Sequence, residues 1–190
     1  MVPPRVLGID AGFRATGLVV VELVAGTDGL KDRVVATATV RTEADGRRKR
    51  GLRVADSDAE RCQVAARAIL DLAREWDVAG VITELPHGGA QGARANRTMG
   101  MATGVVAATI EALRLAAEWV TPGAVKKAAA GHIQATKDEV QVAVFRRFEW
   151  TDGTIGRYEW QREHVADAAG AVLAASAGTL LRTLRVKRPA

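Results

Sequence analysis

Residues 5–17 read Arg5-Val-Leu-Gly-Ile-Asp-Ala-Gly-Phe-Arg-Ala-Thr-Gly17, a short apolar run closed by a single carboxylate and followed by a glycine-bearing turn. Val6, Leu7 and Ile9 suit a buried strand, and Ala11-Gly12 with Thr16-Gly17 lets the chain turn sharply and return as a second strand, Leu18 to Leu23. Asp10 is therefore expected at a strand's end, where the sheet stops and solvent begins. An acid in that position has two readings. It caps the turn, as acids before glycines commonly do, or it serves as a metal ligand or general base whose backbone is fixed while its head stays accessible.

Downstream, Asp32 to Arg41 alternates around Val34, Val35, Ala38 and Val40, which gives a third strand and a meander. The segment 42–58 then turns polar and is expected as a basic loop insertion, with Arg47, Arg48, Lys49, Arg50 and Arg53 crowded at its centre. Such a run is either a solvated loop or an arm that grips phosphates. An amphipathic helix, Ala55 to Trp76, follows with Ser57 or Asp58 as its expected cap. Val78 to Thr83 is a second buried run, and it ends in a second carboxylate, Glu84. After the turn-rich Leu85-Pro86-His87-Gly88-Gly89 comes a long helix. It starts polar, with Arg94 and Arg97 as candidate DNA contacts, and becomes apolar from Met99 to Leu115. Small residues at Gly100, Ala102, Gly104 and Ala107 let that helix approach the sheet or a partner subunit closely.

The remaining elements are a short strand at Trp119-Val120, a helix opened by Thr121-Pro122 and ending near Gly131, and a further helix from Lys137 to Phe148. A loop over 150–162, a last helix from His164 to Leu181 and a basic tail over 182–190 complete the chain. Lys126, Lys127 and Lys137 lie on helices whose N-termini already favour anions. This order describes one α/β domain over 1–190, a mixed central sheet with flanking helices.

A formal net charge of +5 favours a polyanionic partner. The single cysteine, Cys62, forms no intrachain disulfide, and the N-terminus carries no signal-peptide pattern, so the expected location is cytoplasmic. The most apolar stretches, Met101 to Ala117 and Ala168 to Leu181, are broken by charge or rich in small residues, and no membrane span is expected.

His164 and Asp167 stand three apart, hence on one face of the last helix, and are followed by the nearly bulk-free Ala168, Ala169, Gly170 and Ala171. That helix can lie close to the sheet and bring its first turn against the strand ends. Asp10, Glu84 and Asp167, with His164 beside them, then offer hard oxygen ligands and an imidazole from separated points of the chain. Such a set suits two divalent cations roughly 3.5–4 Å apart. Oxygen-rich ligation favours Mg²⁺, with Mn²⁺ able to substitute, over zinc.

Gly8-Ile-Asp-Ala-Gly12 with Arg14, Thr16 and Gly17, Glu84 after its strand, Pro122 to Gly131 continuing to Lys137-Asp-Glu-Val-Gln141, and His164-Val-Ala-Asp-Ala168 together resemble the RuvC-type Holliday junction resolvases. The resemblance spans nearly the whole chain and keeps the order of elements. It implies an RNase H-like fold, a homodimer and paired nicking of four-way DNA junctions to leave 5′-phosphate and 3′-hydroxyl ends. It implies that Asp10, Glu84 and Asp167 bind metal and that His164 fills a position held by an acid or a histidine. Lys126 and Lys137 match lysines set near the scissile phosphate. Two features depart from the bacterial pattern: the loop after Glu84 lacks an aromatic, and the basic insertion looks more like the phage branch. The rival readings are a junction or branched-DNA binding protein that has lost cleavage and a relative acting on RNA or replication forks. An ATP-binding relative of the wider fold would want a second glycine-rich phosphate loop, which the sequence lacks.

Overall fold

The computed structural model describes residues 3–24, 31–41, 54–85 and 92–186. The arm Arg47 to Arg53, His87 and the last four residues lie outside them. The elements, in chain order, are β1 (Arg5–Asp10), β2 (Ala15–Glu22), β3 (Arg33–Arg41), α1 (Val54–Glu75), β4 (Gly80–Glu84), α2 (Ala93–Leu113), β5 (Ala117–Val120), α3 (Pro122–Ala130), α4 (Lys137–Arg147), β6 (Glu149–Trp150), α5 (Glu159–Ala174) and α6 (Thr179–Val186). They build a six-stranded mixed sheet of order β5-β4-β1-β2-β3-β6. The first three strands form an antiparallel meander, while β4 runs parallel to β1 and β5 to β4.

Strand side chains alternate between faces, and the alternation divides the core in two. Val6, Val19, Val21, Val34 and Ile82 face α5 and its neighbours, whereas Leu7, Ile9, Leu18, Val20 and Val81 face α1 and α2. β2 is buried on both faces, which is why its sequence reads as a continuous apolar run. Helix α5 is the central support of the first face. Its run from Ala168 to Leu173 is wholly buried, so it reads as apolar all round rather than striped.

Several boundaries differ from those read in the sequence. Helix α1 starts at Val54, so the expected loop over 42–58 is helical in its last five residues, and Ser57 and Asp58 sit inside the helix instead of capping it. Asp58 is 2 % exposed and is held by Arg97 of α2 at 2.5 Å, with Arg94 at 4.0 Å; its charge is used for docking α2 on α1. The helix expected over His164–Leu181 is two helices, because the chain turns at 175–178 against Glu118. A Cβ on Gly178 would lie 2.0 Å from the Glu118 carboxylate, which also accepts from the Leu180 N–H and so begins α6. The basic tail is consequently helical to Val186. No single helix among the described residues is long and apolar enough to cross a membrane.

Candidate active site

Asp10 and Glu84 finish neighbouring parallel strands, with Ile9 opposite Thr83 in the register. Counting by twos from Val6 and from Ile82 puts both carboxylates on the α5 face. The strand ends are held together: the Thr83 hydroxyl donates to the Ile9 carbonyl at 3.2 Å, and the Leu85 N–H donates to the Val120 carbonyl at 2.8 Å. The β1–β2 turn is equally fixed, since the Thr16 hydroxyl donates to the Gly12 carbonyl at 3.2 Å and a Cβ on Gly12 would fall 2.1 Å from the Ala15 carbonyl oxygen.

Two glycines bring α5 onto this end of the sheet. A Cβ on Gly8 would lie 2.6 Å from the Ala168 carbonyl oxygen, and one on Gly17 would lie 2.3 Å from that of His164. Gly17 pairs with Asp10 across the strands, so the contact sets His164 beside Asp10. His164 Nδ1 lies 2.7 Å from Asp10 Oδ2. Asp167, nearly one turn further along α5, joins them from above. The sequence placed His164 and Asp167 at the helix start, whereas α5 begins at Glu159. Gln161 sets that start, its side-chain oxygen accepting from the Arg157 and Tyr158 N–H groups at 3.0 and 3.1 Å. The acid is thus held by burial and by neighbours, with no contribution from a helix terminus.

The electrostatics show that the carboxylates converge. Burial, then the nearby charges of Asp10 and Asp167, push the Glu84 carboxyl up to about 7. Burial, then Asp10, push Asp167 up to about 6, although Lys137 opposes the shift. The hydrogen bond to Asp10 raises the His164 imidazole against the effect of its own burial. Burial draws Lys137 down, but Glu163 and Asp167 outweigh it and keep the ammonium strongly basic. Lys137 reaches Asp167 at 3.2 Å and also contacts Glu163, and this second contact holds the Glu163 carboxyl below the ordinary range.

The hard oxygen donors and the surplus negative charge fit a divalent cation. Among the described residues no three His, Cys, Asp or Glu side chains already close around one point. Asp10 Oδ2 meets His164 Nδ1, and Asp167 Oδ2 meets Lys137 Nζ.

The other sequence candidates are dispersed. Arg14 is exposed just past Asp10 in the β1–β2 turn. Lys126 is half-buried and Lys127 exposed on α3, which crosses α5 where Val125 fills the space over Gly170. Lys137 is the lysine that meets the acids. Arg97 is committed to Asp58, with Arg94 at its margin. Glu163 escaped the sequence reading, yet its spacing of four from Asp167 was a usable signal.

Residues 6–174 match the family described as crossover junction endodeoxyribonuclease RuvC. The chain belongs to the RuvC family. It is 30% identical over 145 residues to crossover junction endodeoxyribonuclease RuvC of Acidovorax sp. (strain JS42), covering 76% of this chain and 73% of that relative. Its fold is similar to the RuvC structure of Thermus thermophilus, with a TM-score of 0.70 at 25% identity, covering 94% of this chain and 97% of that one. The T. thermophilus RuvC in complex with a Holliday junction substrate shares the fold, with a TM-score of 0.70 at 24% identity over 91% of this chain and 93% of that one. The RuvC family consists of divalent-cation-dependent nucleases, and the RNase H-like α/β expectation holds.

Proposed function

We propose that this chain resolves four-way DNA junctions by paired nicking, as a homodimer with one cluster of Asp10, Glu84, His164 and Asp167 in each subunit. The observation that carries the reading is that Asp10 and Glu84 at neighbouring strand ends and Asp167 on α5 lie near enough to act on one another, two of them pushed up to about 7 and about 6, in a chain of the RuvC family. Magnesium, or manganese in its place, at two ions held by those four side chains, would supply Lewis-acid charge and an activated water at neutral pH.

The chain's own groups do the rest. Lys137 stays cationic between Glu163 and Asp167 and offsets charge on the phosphate under attack. Arg14, Lys126 and Lys127 add positive field around it. The hydrogen bond to Asp10 favours the protonated imidazole of His164, and a cation bound at the cluster would compete with that proton. The water oxygen bonds to phosphorus as the bond to the 3′ oxygen breaks. That oxygen takes up a proton, leaving a 3′-hydroxyl and a 5′-phosphate.

Symmetric cutting needs two sites, and one domain of this size carries one. Helix α2 is the proposed contact, because Gly100 and Gly104 on it face open space. A four-way junction labelled on each strand tests the reading, incubated with magnesium or with EDTA. Paired, ligatable nicks in magnesium and none on linear duplex are expected; binding without nicks would make the chain a junction-binding protein instead.

A further inference from the structure

Outside the carboxylate cluster, the closest arginine–aromatic pair among the described residues lies on the cluster's rim. Arg41 closes β3 opposite Ala15, and its guanidinium carbon lies 4.1 Å from the centroid of the Trp160 ring. The other arginine–aromatic pairs among the described residues, at 5.2 to 5.8 Å, are looser. Trp160 occupies the first turn of α5, one turn before His164, and meets that imidazole edge-on at 6.4 Å and 72°. A continuous line of contacts therefore runs from Arg41 through Trp160 and His164 to Asp10.

The chemistry of this pair differs from that of the structural arginines. Arg97 and Arg185 spend their guanidinium N–H groups on Asp58 and Asp32, at 2.5 Å each. Among the described residues Arg41 is paired with a ring instead. A guanidinium held over a ring face does not spend its N–H groups on a carboxylate, and those groups suit a phosphate. Arg41 is exposed, Trp160 is half-buried, and Arg14 is exposed in the turn next to Ala15, the residue opposite Arg41. Two outward cations thus flank the mouth of the cluster.

We infer that Arg41 and Trp160 form a subsite for a DNA backbone phosphate beside the catalytic centre, Arg41 making the contact and Trp160 acting as the positioning residue that holds it upright. The subsite rests on the reading of this chain as a junction nuclease.

Binding to a synthetic four-way junction in EDTA, measured across a salt series, tests the subsite without calling on metal. One lost phosphate contact flattens the slope of log K against log salt by about 0.9, so on lowering salt from 1 M to 0.1 M the variant gains about eightfold less affinity than the parent. Arg41→Gln is expected to show that loss, Trp160→Ala most of it, and Trp160→Phe little, since a ring still carries the guanidinium. The double variant Arg41→Gln with Trp160→Ala should bind no worse than Arg41→Gln, because both changes remove one contact. Parental affinity and slope in Arg41→Gln overturn the subsite, and additive losses in the double variant overturn the positioning role. Should Trp160→Ala fail to fold, Arg41→Gln decides the subsite and Trp160→Leu, which keeps bulk but removes the ring, decides the positioning role: parental affinity and slope in Trp160→Leu overturn it. A parent that does not bind the junction at all would defeat the nuclease reading itself, whereas a parent that binds with Arg41→Gln unaffected defeats only the subsite.

Discussion

Gly17→Ala is a one-carbon change that the structure converts into a displacement of the active site. The added Cβ would stand 2.3 Å from the His164 carbonyl oxygen, 2.7 Å from its carbonyl carbon and 2.8 Å from its Cβ. Ordinary contact for such atoms begins near 3.4 Å, so α5 must move by about 1 Å at His164, the residue paired to Asp10 at 2.7 Å. The crowded atoms are mainly backbone, and no rotamer change relieves them. Overpacking of this kind costs about 1–3 kcal/mol, which for a chain of this size lowers Tm by roughly 2–12 °C. A misplacement of about 1 Å in a catalytic group costs on the order of 10²-fold in rate. The single-turnover nicking rate on a saturated four-way junction should fall by that factor, while junction affinity in EDTA stays within a few fold. Gly123→Ala is the control, because its Cβ would meet only the Thr121 hydroxyl, at 4.0 Å, and a helical alanine is favoured over glycine by roughly 0.5–1 kcal/mol. A Gly17→Ala protein with parental Tm and parental rate would refute the close seating of α5 on β2.

Glu84 and Asp167 have folded-state values raised to about 7 and about 6, so their contribution to cation-free stability is full at low pH and is lost as pH rises through that range. Tm in EDTA should therefore fall between pH 5 and pH 8. The Tm gain on adding magnesium should be larger at pH 8 than at pH 5, and equal gains at both would contradict the linkage. Replacing Arg47, Arg48, Lys49, Arg50 and Arg53 with glutamine should weaken junction binding and flatten its salt dependence by about 0.9 per lost contact. A solvated loop would leave both unchanged, and the single-turnover rate should not move in either case. Light scattering at micromolar concentration should return the mass of a dimer; a monomer with intact junction cleavage would remove the twofold account.

Much of this arrangement is visible in the sequence because it depends on short-range patterns. The strand ending in Asp10, the strand ending in Glu84 and the spacing of His164 and Asp167 each follow from periodicity and turn chemistry. One local bond and several long-range contacts explain the misses. The start of α5 depends on Gln161 reaching back to 157 and 158, a local bond hidden in a polar stretch that reads as loop. The break after Ala174 depends on Glu118, a residue far away in the chain, and the buried charge of Asp58 is intelligible only once α2 supplies Arg97. Gly8 and Gly17 read as turn or strand glycines until the helix that needs them is in place. Trp160 reads as a loop aromatic for the same reason that the helix start was misplaced.

The single-turnover cleavage rate of a saturated, labelled four-way junction in magnesium, compared between the parent and Asp10→Asn, Glu84→Gln and Asp167→Asn, tests the central claim most directly. Each substitution removes the charge of one proposed metal ligand at nearly constant volume, so each variant is expected to bind the junction within a few fold of the parent and to cut none of it. Cleavage at the parental rate by any one of the three would contradict the assignment of that carboxylate and with it the site described here.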